Sequence, residues 1–166
     1  MRTEIYWIET RGPGRLAVMP RPRGGASLDA EIRALKGDGV DILVSLLTPE
    51  EEDYLELTAE GETATRHGIR FVSHPIYDRG IPADPRSTWA LARELATLYA
   101  EGKTIAAHCR MGIGRSPLIL ASILVHGGAR PDEAWIAIGS ARGCPVPDTR
   151  DQRDWLERQA PLPPSA

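Results

Sequence analysis

Only two cysteines, Cys109 and Cys144, occur in the 166 residues, and they stand 35 positions apart. Such a pair makes a poor disulfide framework, which argues against a cross-linked secreted fold and for a reducing compartment. Phenylalanine occurs once, and lysine only at Lys36 and Lys103, so 18 of the 20 basic residues are arginine. No run approaches the ~18 consecutive apolar residues that a membrane span needs. The N-terminal stretch also lacks the charged-then-apolar pattern of a secretory signal. There is no excess of positive charge: a formal net charge of −3 argues against general nucleic-acid binding. No internal repeat is visible. What remains, 42% apolar and 26% charged residues, is ordinary globular composition at a length suited to one domain. The expectation is a cytoplasmic protein with no membrane and no nucleic-acid partner. Its single domain is expected over residues 1–160, with a disordered Pro-Leu-Pro-Pro-Ser-Ala tail over 161–166.

Apolar and turn residues alternate along the chain in a way that predicts strands and helices in succession. Residues 4–9 and 15–19 read as short strands around Gly12-Pro13-Gly14, followed by a loop at 20–25. Leu28, Ile32 and Leu35 at helical spacing predict a helix that ends near Gly37 and Gly39. Val40 to Leu47 reads as a buried strand. Thr48-Pro49-Glu50-Glu51 then reads as a capping box with proline at the first helical position. That helix carries Tyr54, Leu55 and Leu57, and its acidic run 50–53 is expected to be a solvated first turn favoured by the dipole. A strand over 69–76 and a turn-rich loop 77–82 precede a long helix capped by Asp84-Pro85 and running to about Ala100.

A strand over 103–108, a helix from Arg115 to His126 and helices over about 131–141 and 149–159 complete the pattern. Such alternation implies an α/β fold, a largely parallel central sheet flanked by helices. The helix after residue 115 is apolar all round and is therefore expected to be the central buried one.

Between that strand and that helix lies His108-Cys109-Arg110-Met111-Gly112-Ile113-Gly114-Arg115-Ser116. The spacing suits a thiolate at the bottom of a cup of backbone N–H groups, with a guanidinium folding back over the rim. A tetrahedral oxyanion fits there, at a helix N-terminus where unpaired N–H groups and the macrodipole favour negative charge. Cysteine and arginine at this separation are weak evidence alone. With the histidine, both glycines and the serine, chance agreement falls to on the order of 10⁻⁵. The competing reading is a glycine-rich turn whose cysteine is an ordinary core residue.

The chemistry follows from the residue types. Cys109 must be a thiolate to attack phosphorus, so the site has to lower its pKa. Arg115 offers a bidentate contact to two phosphate oxygens. Residues 110–114 (Arg110, Met111, Gly112, Ile113, Gly114) supply the N–H groups, and the glycines remove the Cβ atoms that would block their convergence. Ser116 either donates to the thiolate or caps the following helix. His108 is expected to orient the loop rather than act as a base. A leaving oxygen also needs a proton. Asp84 has sufficient work as a helix cap, whereas Asp78 has none, so Asp78 is preferred as the acid.

With the loop, His74-Pro75-Ile76-Tyr77-Asp78 and Arg142-Gly143 leading to Thr149-Arg150-Asp151-Gln152 complete a resemblance. The chain resembles the cysteine-dependent protein-tyrosine phosphatases of the dual-specificity type, especially the branch that includes the cyclin-dependent-kinase-associated phosphatase. The resemblance spans residues 70–156. It implies Cys109 as nucleophile, Arg115 as phosphate clamp, Asp78 as general acid on a mobile loop and Gln152 as the residue that places the hydrolytic water. Thr149 and Gln152 also form a capping-box pattern.

The implied reaction has two steps through a cysteinyl-phosphate, with no metal and no other cofactor, on a phosphorylated protein substrate. No counterpart of the long phosphotyrosine-recognition loop is found, so phosphoserine and phosphothreonine stay open beside phosphotyrosine. Three alternatives remain: a phosphoinositide or other non-protein monoester phosphatase, a phosphate-binding pseudoenzyme, and a rhodanese-like sulfur transferase. The absence of lysine in the loop lowers the first, and Asp78 with Arg115-Ser116 argues against the other two.

Overall fold

The computed structural model describes residues 2–160; the expected tail over 161–166 lies outside the described residues. Five strands form one sheet: β1 (Tyr6–Ile8), β2 (Arg15–Met19), β3 (Ile42–Ser45), β4 (Arg70–Ser73) and β5 (Thr104–His108). Their order across the sheet is β1-β2-β5-β3-β4; β1 runs antiparallel to β2 and the remaining pairs are parallel. Seven α-helices accompany them: α1 (Leu28–Gly37), α2 (Pro49–Tyr54), α3 (Glu60–Arg66), α4 (Pro85–Ala100), α5 (Arg115–His126), α6 (Pro131–Arg142) and α7 (Arg150–Gln159).

Strand side chains alternate between two apolar layers, as the pleat requires. Leu16, Val18, Val44, Ile105 and Ala107 point to the larger layer, built with α4, α5, α6 and α7. Ala17, Met19, Leu43 and Ala106 point to the smaller one, closed by α1 and α3. Helix α5 is buried along nearly its whole length, as its all-round apolar sequence predicts. Trp155 and Leu156 of α7 are buried in the same layer, each worth roughly 1.5–3 kcal/mol against exposure. No helix among the described residues is long and apolar enough to cross a membrane.

Two expectations need correction. The helix after Thr48 stops at Tyr54, and a separate α3 follows at Glu60. Sequence periodicity misses α3 because it buries Glu60, Thr63 and Ala64, a face with almost no apolar side chain. The acidic run is not uniformly solvated either: Glu50 and Asp53 are exposed, but Glu51 is buried. The Thr48 capping box itself forms, and Glu51 closes it from the third helical position.

Candidate active site

The parallel strands β2, β5 and β3 end on one edge of the sheet, the edge where α/β folds place ligands. Strand β5 delivers His108 and Cys109 there, and the chain crosses the edge in a tight loop before α5 begins at Arg115. Gly112 takes φ +76°, and a Cβ on it would lie 2.9 Å from the backbone of Met19, so glycine is required. The loop is held from outside as well. Arg21 donates its backbone N–H to the Arg110 carbonyl at 3.2 Å, and Arg142 donates from Nη2 to the Met111 carbonyl at 3.0 Å.

Over the loop opens a cleft of about 370 Å³ that brings together Cys109, Arg110, Met111, Ile113, Gly114, Arg115, Asp78 and Gln152. Arg79 and Asp148 also line it, and sequence reasoning did not single them out. Gly112 forms the back of the loop, and His108 and Ser116 are buried beneath it. Every residue expected to contribute chemistry therefore lies in or directly under one cleft.

Cys109 Sγ lies 3.3 Å from Ser116 Oγ. Burial pushes the thiol up, but hydrogen bonds from the Ser116 hydroxyl and N–H, the Arg115 charge and the Gly112 N–H outweigh it. The net effect holds Cys109 below the usual thiol range. Ser116 thus serves the sulfur; the N-cap position of α5 is Gly114.

The Arg115 guanidinium is nearly solvent-free. Nη1 donates to Glu51 Oε1 at 2.6 Å and to the Ile76 carbonyl at 2.8 Å; Nη2 donates to Glu51 Oε2 at 2.9 Å and to Asp78 Oδ1 at 3.1 Å. Burial works against the cation, yet Glu51, the Cys109 charge and Asp78 together raise its pKa. Burial likewise pushes the Glu51 carboxyl up, but Arg115 and Thr48 hold it below its usual range.

Asp78 is half exposed, on a turn closed by the Gly80 N–H on the Tyr77 carbonyl at 2.7 Å. Arg79 at its centre has φ +60°, an unusual backbone for a non-glycine residue. Gln152 reaches across the cleft and donates from Nε2 to the Gly80 carbonyl at 3.0 Å, while its Oε1 closes the α7 capping box on the Thr149 N–H. The capping-box reading of Gln152 is realised, and the same side chain lines the cleft. Asp84, the rejected carboxylate, caps α4 through the Ser87 N–H. Cys144 lines a different cavity, with Trp135 and Val146, and both cysteines are free thiols.

The family model described as "polymorphic toxin system, DSP-PTPase phosphatase" matches residues 17–129. The chain belongs to that family. Among curated proteins, this DSP-PTPase is similar to cyclin-dependent kinase inhibitor 3 of Rattus norvegicus, 27% identical over 132 residues. The alignment covers 78% of this chain and 62% of the rat protein. The Mus musculus counterpart is 33% identical over 92 residues, covering 55% of this chain and 43% of its own length. The chain thus spans less than two thirds of either curated relative.

Among solved structures, kinase-associated phosphatase with serine in place of its catalytic cysteine superposes with a TM-score of 0.84 at 22% identity, covering 95% of this chain and 94% of that one. P. aeruginosa TpbA in complex with phosphotyrosine gives 0.58 at 18% identity, covering 93% and 90%. The DSP-PTPase therefore has the α/β tyrosine-phosphatase fold.

Two buried acids escaped sequence reasoning: Glu51, which grips Arg115, and Glu60, whose Oε2 lies 2.5 Å from His108 Nε2. The capping-box pattern fixed the location of Glu51 but not the partner it reaches across the fold. Nothing local to Glu60 signals its role.

Proposed function

We propose that this DSP-PTPase hydrolyses phosphate monoesters on proteins, phosphotyrosine first and phosphoserine or phosphothreonine as well, through a cysteinyl-phosphate. The observation that carries this reading is Cys109, its pKa held below the usual thiol range, in a cleft that Arg115 and Asp78 also line. A buried thiolate needs an electrophile, and the surrounding N–H groups select one that carries oxyanions.

In the first step the phosphate sits in the loop of N–H groups from Arg110 to Gly114. Arg115 presents Nε and Nη2 to two of its oxygens, while Glu51 keeps the guanidinium plane fixed. Asp78 leaves Arg115, which the phosphate now engages, and protonates the departing oxygen as Cys109 Sγ bonds to phosphorus in line. In the second step water attacks phosphorus on the cysteinyl-phosphate, with Asp78 taking its proton. Gln152, anchored to Gly80, orients that water, and Ser116 donates to the sulfur as it leaves. Arg115 and the loop N–H groups supply the positive field throughout.

The names of the curated relatives support a protein substrate, and the phosphotyrosine held by TpbA supports the monoester class. The exposure of Met111 on the cleft lining and of Tyr77 next to Asp78 supports acceptance of shorter phosphoresidues too. Residues 1–160 act as one catalytic unit, in a reducing, cytoplasmic setting that keeps Cys109 and Cys144 as thiols.

The test is release of phosphate from an aryl phosphate and from phosphotyrosine, phosphothreonine and inositol-phosphate substrates. Hydrolysis of the first two supports the reading. Binding without turnover overturns it in favour of a phosphate-binding protein. Thiocyanate formation from thiosulfate and cyanide would make it a sulfur transferase.

A further inference from the structure

Beneath the cleft lies a buried histidine–glutamate contact that the two-step reaction does not use. His108 is completely buried and Glu60, 48 positions earlier, is 1% exposed; Glu60 Oε2 lies 2.5 Å from His108 Nε2. The other ring nitrogen, Nδ1, lies 3.1 Å from the carbonyl oxygen of Cys109 itself. A carbonyl only accepts, so Nδ1 carries a proton. On the far side the ring and the carboxylate share a second proton. Glu60 Oε1 is buried with no partner among the described residues, so the acid's hydrogen bonding is concentrated on the ring.

We propose that Glu60 is a positioning residue for the nucleophile: it holds His108 as a doubly protonated ring, pinned to the Cys109 carbonyl. This rests on Cys109 being the nucleophile of the proposed phosphatase. The acid and the cysteine never touch; the ring transmits between them. Fixing the Cys109 carbonyl fixes the peptide at which β5 turns into the loop, and hence the direction in which Sγ leaves the backbone.

The charge adds to this. Burial pushes the ring toward neutrality, but Glu60, the Cys109 carbonyl and the Cys109 charge outweigh it and raise the His108 pKa above the ordinary histidine value. Coupling between two sites is reciprocal, so a thiolate that favours the imidazolium is itself favoured by it.

The other groups around the pair are few. From α2, Glu52 faces it; burial and the Glu60 charge push its carboxyl up, against the pull of His108. Strands β2 and β3 place Met19 and Ser45 in register with His108. From α3 the other buried side chains are Thr63 and Ala64. Helix α1 brings Leu28, Ile32 and Leu35, and its buried Glu31 is taken by Arg23 and the Thr3 N–H. From α5, Arg115 and Ser116 act on the sulfur rather than on the ring. Glu60 is thus the ring's direct counter-charge.

The experiment is the pH dependence of alkylation of Cys109 by iodoacetamide, read on the Cys109 peptide by mass spectrometry so that Cys144 does not interfere. In Glu60→Gln the midpoint should rise by about one pH unit, the size expected for losing a nearby cation. Glu60→Asp, which keeps the charge on a shorter arm, should recover part of that shift. An unchanged midpoint in a Glu60→Gln protein with native circular dichroism overturns the proposal.

If Glu60→Gln does not fold, the His108 ring is followed in the unmodified protein by nitrogen NMR. A doubly protonated ring at about pH 7.5, a unit above the ordinary histidine value, supports the proposal, and a neutral ring there overturns it. Alkylation needs no substrate. An intact shift in a protein that hydrolyses no phosphate monoester would therefore sink the phosphatase reading and leave the role of Glu60 in the thiol's ionisation standing.

Discussion

Glu51 holds Arg115 with both carboxylate oxygens, at 2.6 and 2.9 Å, and the guanidinium is 1% exposed. An isolated arginine side chain loses rotamer freedom each time it binds a ligand. Here the plane is set before any phosphate arrives, and the pair also ties α2 to the first residue of α5. Removing one member strands a buried charge, which is more harmful than never having had the pair.

Glu51→Ala should therefore lower unfolding free energy by about 3 kcal/mol and weaken vanadate or phosphate binding at least tenfold. Urea denaturation and oxyanion inhibition constants measure the two effects. Wild-type affinity in a folded variant would mean that Arg115 needs no holder.

Cys109→Ser should abolish turnover while keeping the fold and oxyanion binding, because a serine hydroxyl is not ionised at that position. Arg115→Lys should be nearly as damaging, since an ammonium cannot reproduce the planar two-pronged contact. Steady-state rates on an aryl phosphate decide both. Activity within tenfold of wild type in either variant contradicts its assigned role.

Asp78→Ala should reduce kcat by roughly 10²–10⁴ and flatten the basic limb of the pH profile. The loss should be smallest for leaving groups that need little protonation. Asp84→Ala should leave kcat unchanged and cost about 1 kcal/mol of stability, because it caps α4. The reverse assignment of effects would identify Asp84 as the acid.

The lowered pKa of Cys109 has a thermodynamic signature. Between its folded value and the ordinary thiol value, the unfolded chain binds one proton more than the native one. Stability from this group therefore rises with pH by about 1.4 kcal/mol per unit across that window. It is fully present above the ordinary thiol pKa and lost as pH falls through the folded one. Wild type and Cys109→Ser compared by urea denaturation at several pH values should diverge along that slope; parallel curves would show an unperturbed thiol.

Peroxide should inactivate the enzyme through a sulfenic acid at Cys109, reversibly with added thiol. Because Cys144 lines a separate cavity, no internal cross-link between the two is expected. Mass spectrometry of the mildly oxidised protein reads this directly, and a 109–144 disulfide would contradict it.

The loop over 108–116 was legible in the sequence because its shape depends on local spacing, and so were the caps at Thr48, Asp84 and Thr149; Asp78 lies where the reading put it, in the cleft. The two acids that organise the floor were not. Glu51 looks like any acid in a first helical turn until Arg115, 64 residues later, is folded against it. Glu60 sits in Glu-Gly-Glu-Thr-Ala-Thr-Arg, a stretch too polar and too short for its helix to be recognised by periodicity. Burial of a charge is decided by a distant partner, and no local pattern records it. Sheet order is hidden for the same reason: adjacency of β2 and β5 follows from packing, not from proximity along the chain.

That order also governs how the molecule assembles. Strands β2 and β3 are made early in synthesis, yet they flank a gap that only residues 104–108 fill. Until β5 is inserted, each exposes an unpaired edge, and the two apolar layers have no shared middle. The strand that closes the sheet is the one that carries the nucleophile. Insertion of β5 therefore both joins the two apolar layers and brings the reactive loop to the sheet edge, so the site depends on the same packing that stabilises the fold.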